Sequence, residues 1–225
     1  MKRVFALIQP LHRDGLWTLA ALVAAALLLL WLWAPLGWLC AGGAFLVAIM
    51  VQDPRRAVPL NLGLMVSPAD GKVRRVDRMI PPVGLHLGTS PLTRIEIALP
   101  VLGPHVVRAP ILGRIKAMAD PSLPGHASFP AGQGTDAGLI FALAEGRTLG
   151  LVLSPWVGRI ALACMTGDSL QTGQRLGLIR FGGTVALYLP EGLAPQVATG
   201  QVVVAGETVI ALIGQDAVAR VARQD

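Results

Sequence analysis

The chain has 225 residues, of which 53% are hydrophobic and only 14% charged, with a formal net charge of +6. Average soluble domains are about one quarter charged, so the composition excludes a disordered or acidic solvating protein and argues against an ordinary cytosolic enzyme. Two cysteines, Cys40 and Cys164, exclude a disulfide framework or a zinc site, and His12, His86, His105 and His126 show no metal-ligand spacing, so no metal is expected.

The first predicted element is apolar. Residues 15–52 carry no charged side chain. One straight helix of that length would run about 57 Å, against a bilayer core of about 30 Å. Pro35-Leu36-Gly37 breaks the run, because proline removes a backbone donor and glycine supplies a turn. The pattern predicts a transmembrane helical hairpin over 16–34 and 37–51, in an anchor spanning residues 1–52. The second limb is short, which leaves a re-entrant or little-tilted segment open. Lys2, Arg3 and Arg13 precede the hairpin and Arg55 and Arg56 follow it. Basic residues at both ends predict that both face the cytoplasm, with the rest of the chain on the cytoplasmic side of a bacterial inner membrane. Trp17 fits the entry interface, and Trp31, Trp33 and Trp38 the opposite one. A signal peptide would be shorter and end at a small-residue site, and Leu39 before Cys40 is too large for a lipidation box.

Residues 53–225 form the second predicted domain. Short apolar runs rich in β-branched residues and bounded by Gly, Pro or Asp predict strands within 65–76, 93–102, 105–118, 139–154, 159–165, 174–181, 184–190, 201–206 and 208–214. No long segment after residue 53 has a helical period. The fold class expected is mainly β, a flattened sandwich or barrel-like domain of short strands. Residues 166–182 resemble residues 199–214, each with spaced glycines before an apolar strand. Two such hairpins packed as half-barrels would give the sandwich. Carrier domains use similar halves, but Lys116 is the last lysine, so neither hairpin has an attachment point. The arginines are spread out with few aromatic residues between them, which argues against nucleic acid as a partner.

Four segments in order resemble the short bacterial form of phosphatidylserine decarboxylase. They are VQDPRRAVP after the hairpin, VSPADGKV (66–73), GPHVVRAPILGRI (103–115) and GQRLGLIRFGGTVALYLP (173–190). The resemblance covers residues 15–190. It implies a membrane carboxy-lyase of phospholipid biosynthesis, made as a zymogen that cuts itself before a serine in a Gly-Ser pair. That serine becomes a pyruvoyl group, whose ketone forms a Schiff base with phosphatidylserine and draws electrons as CO₂ leaves to give phosphatidylethanolamine. The cofactor carries the chemistry, while the protein supplies position and charge.

The resemblance carries over residue by residue. Asp70 matches the family's Asp, expected to orient His105; read alone, it is a turn residue bonding its own backbone. His105 matches the family's His, a general base whose ordinary pKa suits neutral pH. Gly182 and Gly183 occupy the maturation position, where the family has Gly-Ser. Glycine has no β-oxygen, so Gly183 can neither attack a carbonyl nor become a pyruvoyl group. Thr184 carries the next hydroxyl and would leave a 2-oxobutyryl group if cleavage fell before it. One step along a strand, however, a side chain points to the opposite face. The alternative is a catalytically silent relative, a pseudoenzyme binding anionic lipid or a protein partner. A second departure supports it: residues 120–138 lack the family's Asp-Asn-Glu-Arg stretch. Arg108, Arg114 and Arg74-Arg75-Arg78 are expected either at anionic headgroups or on a solvated surface. Homo-oligomerisation is left open.

Overall fold

The computed structural model describes residues 13–50, 54–59, 63–119, 136–143, 146–158, 160–179 and 181–213. Lys2, Arg3, His12, Asp53, His126 and most of the 120–138 stretch lie outside the described residues. The chain divides into two compact units, Met1–Arg55 with Val101–His105, and Arg56–Pro100 with Val106–Asp225.

The first unit holds two helices, α1 (Arg13–Leu32) and α2 (Ala34–Met50). The break falls at Trp33, two residues before Pro35. Proline is tolerated in a first turn, where its missing N–H has no helical partner to lose. The Trp33 carbonyl accepts from Leu36 and Gly37, each at 3.2 Å, and starts the second helix. Small residues line the contact between the helices. Ala26 and Ala44 are buried, and a Cβ on Gly37 would lie 2.6 Å from the Leu30 Cα.

Leu27, Trp31, Trp38, Leu39 and Phe45 remain exposed, Trp31 by 86%. The expected hairpin therefore forms, but its expected crossing of a membrane is not supported. Among the described residues, no helix is long and apolar enough to cross a membrane. The 17 residues of α2 reach only about 26 Å at 1.5 Å per residue, short of a bilayer core of about 30 Å.

Among the described residues the second unit is built of strands, apart from one 3-10 turn at Val83–Leu85. Its strands are β1 (Leu64–Val66), β2 (Gly71–Met79), β3 (Leu92–Ala98), β4 (Val106–Arg108), β5 (Gly113–Ala119), β6 (Ala137–Ala142), β7 (Thr148–Pro155), β8 (Ile160–Leu162), β9 (Ser169–Leu170), β10 (Arg175–Ile179), β11 (Gly183–Tyr188), β12 (Val202–Val203) and β13 (Val209–Leu212). Eight form one sheet in the order β12-β2-β3-β11-β7-β6-β5-β9, three form β4-β10-β8, and two form β1-β13. Every pairing is antiparallel.

Alternation sets the two faces of the large sheet. Ile95, Ile97, Leu149, Leu151, Leu153, Val185 and Leu187 are fully buried on one face. They share a core with Val107, Leu176 and Ile179 of the three-stranded sheet and with Met65, Ile210 and Ala211 of the pair. The other face carries Arg94, Glu96, Ser154, Thr184 and Tyr188, and a smaller cluster of Leu85, Leu92, Ile140, Val152 and Tyr188.

The repeat is real, but it does not build hairpins. In the first copy β9 pairs with β5 while β10 pairs with β4 and β8. In the second, β12 pairs with β2 while β13 pairs with β1. A left-handed glycine at each turn, Gly173 (φ 76°) and Gly206 (φ 77°), sends the chain from one sheet to another. The partners of the two copies also match. Gly173 donates to Ala109 and Gly206 to Ser67, each at 2.8 Å, while Val66 donates to Pro110 and Arg108 to Pro68, each at 2.8 Å. SPADGKV (67–73) and APILGRI (109–115) are thus corresponding segments of a local pseudo-two-fold.

Candidate active site

Asp70 ends the turn between β1 and β2. The Ser67 hydroxyl closes that turn by donating to the Ala69 carbonyl at 2.7 Å. The Asp70 Oδ1 accepts from Arg56 Nη2 at 2.8 Å and from the Ala205 amide at 3.2 Å. Burial pushes its carboxyl above the ordinary aspartate value, against the opposing pull of Arg56, the Ala205 amide and Arg108. Asp70 is therefore anchored to the long-range Arg56 rather than to its own turn. His105 is buried, 2% exposed, and directly precedes β4. The two residues belong to different units.

Gly183 starts β11, opposite Pro155 of β7. Its carbonyl accepts from the Leu99 amide at 2.9 Å, and the Gly182 carbonyl accepts from Trp156 at 3.2 Å. The preceding turn uses two left-handed residues, Phe181 (φ 59°) and Gly182 (φ 79°). At Phe181 that conformation is strained. A Cβ on Gly183 would strike the Ser154 carbonyl oxygen, and would lie 3.0 Å from Pro155 Cα and 3.1 Å from Ile179 Cγ2. Residue 183 thus lacks the oxygen a pyruvoyl precursor needs, and its side-chain direction is filled by backbone. A pyruvoyl group does not fit at this position.

Thr184 turns the other way. It is half-buried on the outer face, directly opposite Ser154 on β7 and Ala98 on β3. Ala137 pairs with Leu153, so Asp136, one residue earlier, continues the same row beside Ser154. The Ser154 and Asp136 side chains thus stand side by side on one wall. Asp136 is 7% exposed, and burial raises its pKa above the ordinary value while the Ser154 hydroxyl partly offsets that rise. All three line one cavity of about 440 Å³. Its wall includes Arg94, held by Asp77 through bonds of 2.9 and 2.7 Å and lying 3.8 Å from Glu96. Tyr188 lies beside Arg94, and burial raises its phenol against the pull of that guanidinium. Ile80 and Val83 form an apolar lip.

Thr184 opens into the outer groove, whereas the missing side chain of Gly183 faces the opposite way. Asp70 and Gly183 do share one end of the large sheet: Gly71 and Gly183 are separated by β3, about 10 Å across two strand spacings. Of the expected headgroup arginines, Arg108 is buried in the fold, whereas Arg74, Arg75, Arg78 and Arg114 are exposed. Arg108 is buried and donates to Gly173 at 3.1 Å, Arg114 donates to Gly167 at 2.8 Å, Arg78 donates to Pro91 at 3.2 Å, and Arg74 lies 3.5 Å from Glu96. Sequence reasoning missed Asp136 and Ser154. The alternation in TLGLVLSP places Ser154 outward, but only the strand register puts it opposite Thr184.

A phosphatidylserine decarboxylase family profile matches residues 152–211, from the Ser154 end of β7 through the Gly183 turn to β13. The chain is 38% identical over 216 residues to the phosphatidylserine decarboxylase proenzyme of Ruegeria pomeroyi, covering 94% of this chain and 99% of that protein. It is 38% identical over 208 residues to the proenzyme of the same name from Beijerinckia indica, covering 91% and 90%. It is 39% identical over 211 residues to that of Cereibacter sphaeroides, covering 91% and 90%. With similarity running nearly end to end, the chain belongs to the phosphatidylserine decarboxylase family.

Proposed function

We propose that the protein acts on phosphatidylserine, removing its carboxyl group to give phosphatidylethanolamine. The observation that carries this reading is 38% identity, over an alignment covering 94% of this chain, to a relative named phosphatidylserine decarboxylase proenzyme. Asp70 and His105 stand at the matching motif positions. In the family a self-made ketone supplies the electron sink. In this chain residue 183 offers no precursor for it, so the ketone must come from another residue. Attachment to a bacterial cytoplasmic membrane is part of the proposal. The exposed Leu27, Trp31, Trp38 and Phe45 of the helical pair offer the kind of clustered apolar surface that marks a membrane or partner contact.

Incubating the purified full-length protein with phosphatidylserine vesicles tests the reading, with lipid products followed by mass spectrometry. Accumulating phosphatidylethanolamine is expected. Gly183 favours a second reading, a silent relative that binds anionic lipid or a protein partner. Vesicle binding with no phosphatidylethanolamine formed would select it.

A further inference from the structure

We propose that Thr184 is the self-modifying residue of this chain, with Ser154 accepting its proton and Asp136 acting as the positioning residue behind Ser154. The inference rests on the phosphatidylserine reading, and it places the reactive hydroxyl on the face of the sheet opposite to the Gly183 side-chain direction. Three features of the outer groove support it.

The first is the nucleophile. Thr184 carries the only hydroxyl in residues 180–184, and it lines an open cavity rather than the core. The second is the electrophile. The Gly183 carbonyl already accepts from the Leu99 amide at 2.9 Å, a donor placed to stabilise negative charge on that oxygen as the carbonyl is attacked. The third is the proton acceptor. Residues directly opposite on antiparallel strands hold their Cβ atoms about 5 Å apart, so Ser154 stands next to Thr184 and Asp136 continues the row beside Ser154 in the same cavity. Nucleophile, acceptor and orienting carboxylate form the constellation that activates a weak hydroxyl. Burial raises the Asp136 carboxyl above the ordinary aspartate value, which makes it a stronger base toward the hydroxyl proton.

The steps balance without oxidant or reductant. The Thr184 Oγ1 adds to the Gly183 carbonyl carbon while its proton passes to Ser154, which hands its own proton to the Asp136 carboxylate. The bond from that carbon to the Thr184 nitrogen breaks, and the nitrogen takes the proton, leaving an ester. Removal of the Thr184 Cα proton by the same pair breaks the Cβ–O bond and expels the Gly183 carboxylate. A proton then moves from nitrogen to Cβ. One water hydrolyses the resulting imine, releasing ammonia. One peptide bond and one water thus become a chain ending at Gly183, a chain opening with a 2-oxobutyryl group, and ammonia.

Denaturing mass spectrometry of the full-length protein tests this, with Thr184→Ser, Thr184→Val, Ser154→Ala, Asp136→Asn and Asp136→Glu variants. Two fragments meeting between residues 183 and 184 are expected, the second beginning with 2-oxobutyryl. Thr184→Ser should cleave and leave a group one methylene lighter, whereas Thr184→Val should stay intact. Asp136→Asn should slow cleavage about a hundredfold and flatten its rise with pH, and Asp136→Glu should restore both in part. Ser154, Arg94, Glu96 and Tyr188 also face this cavity, so Glu96→Gln is the control that should keep the pH profile. If Asp136→Asn fails to fold, Ser154→Ala and Asp136→Glu carry the test. An intact wild-type chain, or cleavage that Asp136→Asn leaves unchanged, would overturn the assignment. Phosphatidylethanolamine made by an intact chain would overturn it while sparing the phosphatidylserine reading. Cleavage without phosphatidylethanolamine would do the reverse.

Discussion

At Gly183 the backbone of β7 runs so close that a Cβ would meet the Ser154 carbonyl oxygen. Inserting atoms into a packed site of this kind costs about 1–3 kcal/mol. Gly183→Ser should therefore melt at a lower temperature than the parent, and a matching melt would show that β7 yields freely. Thermal scans of Gly183→Ser beside Thr184→Ser separate the cost of the position from the cost of a hydroxyl. Asp70 presents a different balance, because its buried carboxyl is held by Arg56 and the Ala205 amide. Hydrogen bonds to charged groups contribute about 1.5–3 kcal/mol, so a double-mutant cycle over Arg56→Met and Asp70→Asn should show a coupling of that order or below. Strict additivity would contradict the pairing. The turn that carries Asp70 was legible from its motif, but the partner of its carboxyl was not. Arg56 lies 14 residues away across a turn, and nothing in either residue's local pattern points to the other.

Among the elements, the helical pair was legible because a long uncharged run interrupted by proline leaves few alternatives. The extent of its limbs was not, since the length of each depends on where the break falls, and the break falls at Trp33. Burying a large apolar side chain contributes about 1.5–3 kcal/mol. Leu27→Gln and Trp31→Gln should each weaken flotation with vesicles by about ten- to a hundredfold, and unchanged flotation would remove the pair as the attachment element. The strands were read as segments, but two of these, 65–76 and 105–118, each split into a pair of strands around a buried Pro-containing turn. Half of the internal repeat was visible in the spaced glycines of 166–182 and 199–214. The other half, SPADGKV against APILGRI, was hidden because its matching positions are a proline, a glycine and one basic residue. Pairing, not composition, revealed that the strands of each copy part company into different sheets.

For the whole molecule, pH couples to stability through two aspartates. Asp70 and Asp136 both have folded-state pKa values raised above 3.8, with burial the largest cause in each. A raised carboxyl means that the folded chain holds protons the unfolded chain has released. The stability these groups contribute is fully present below the unfolded value and is lost as pH rises through the folded values. Denaturant midpoints should therefore fall across that window, and Asp70→Asn with Asp136→Asn should flatten the fall; a profile unchanged in the double variant would contradict the assignment. The same burial that costs stability at Asp136 poises it beside Ser154 and Thr184. On the proposed reading, the row of Thr184, Ser154 and Asp136 supplies the ketone and the apolar helical pair supplies attachment to a lipid surface.

The most direct test of that account uses phosphatidylserine labelled in its serine carboxyl carbon, presented in vesicles to the purified full-length chain. The account predicts labelled CO₂ from the parent and from Thr184→Ser, and none from Thr184→Val. No labelled CO₂ from the parent would contradict it.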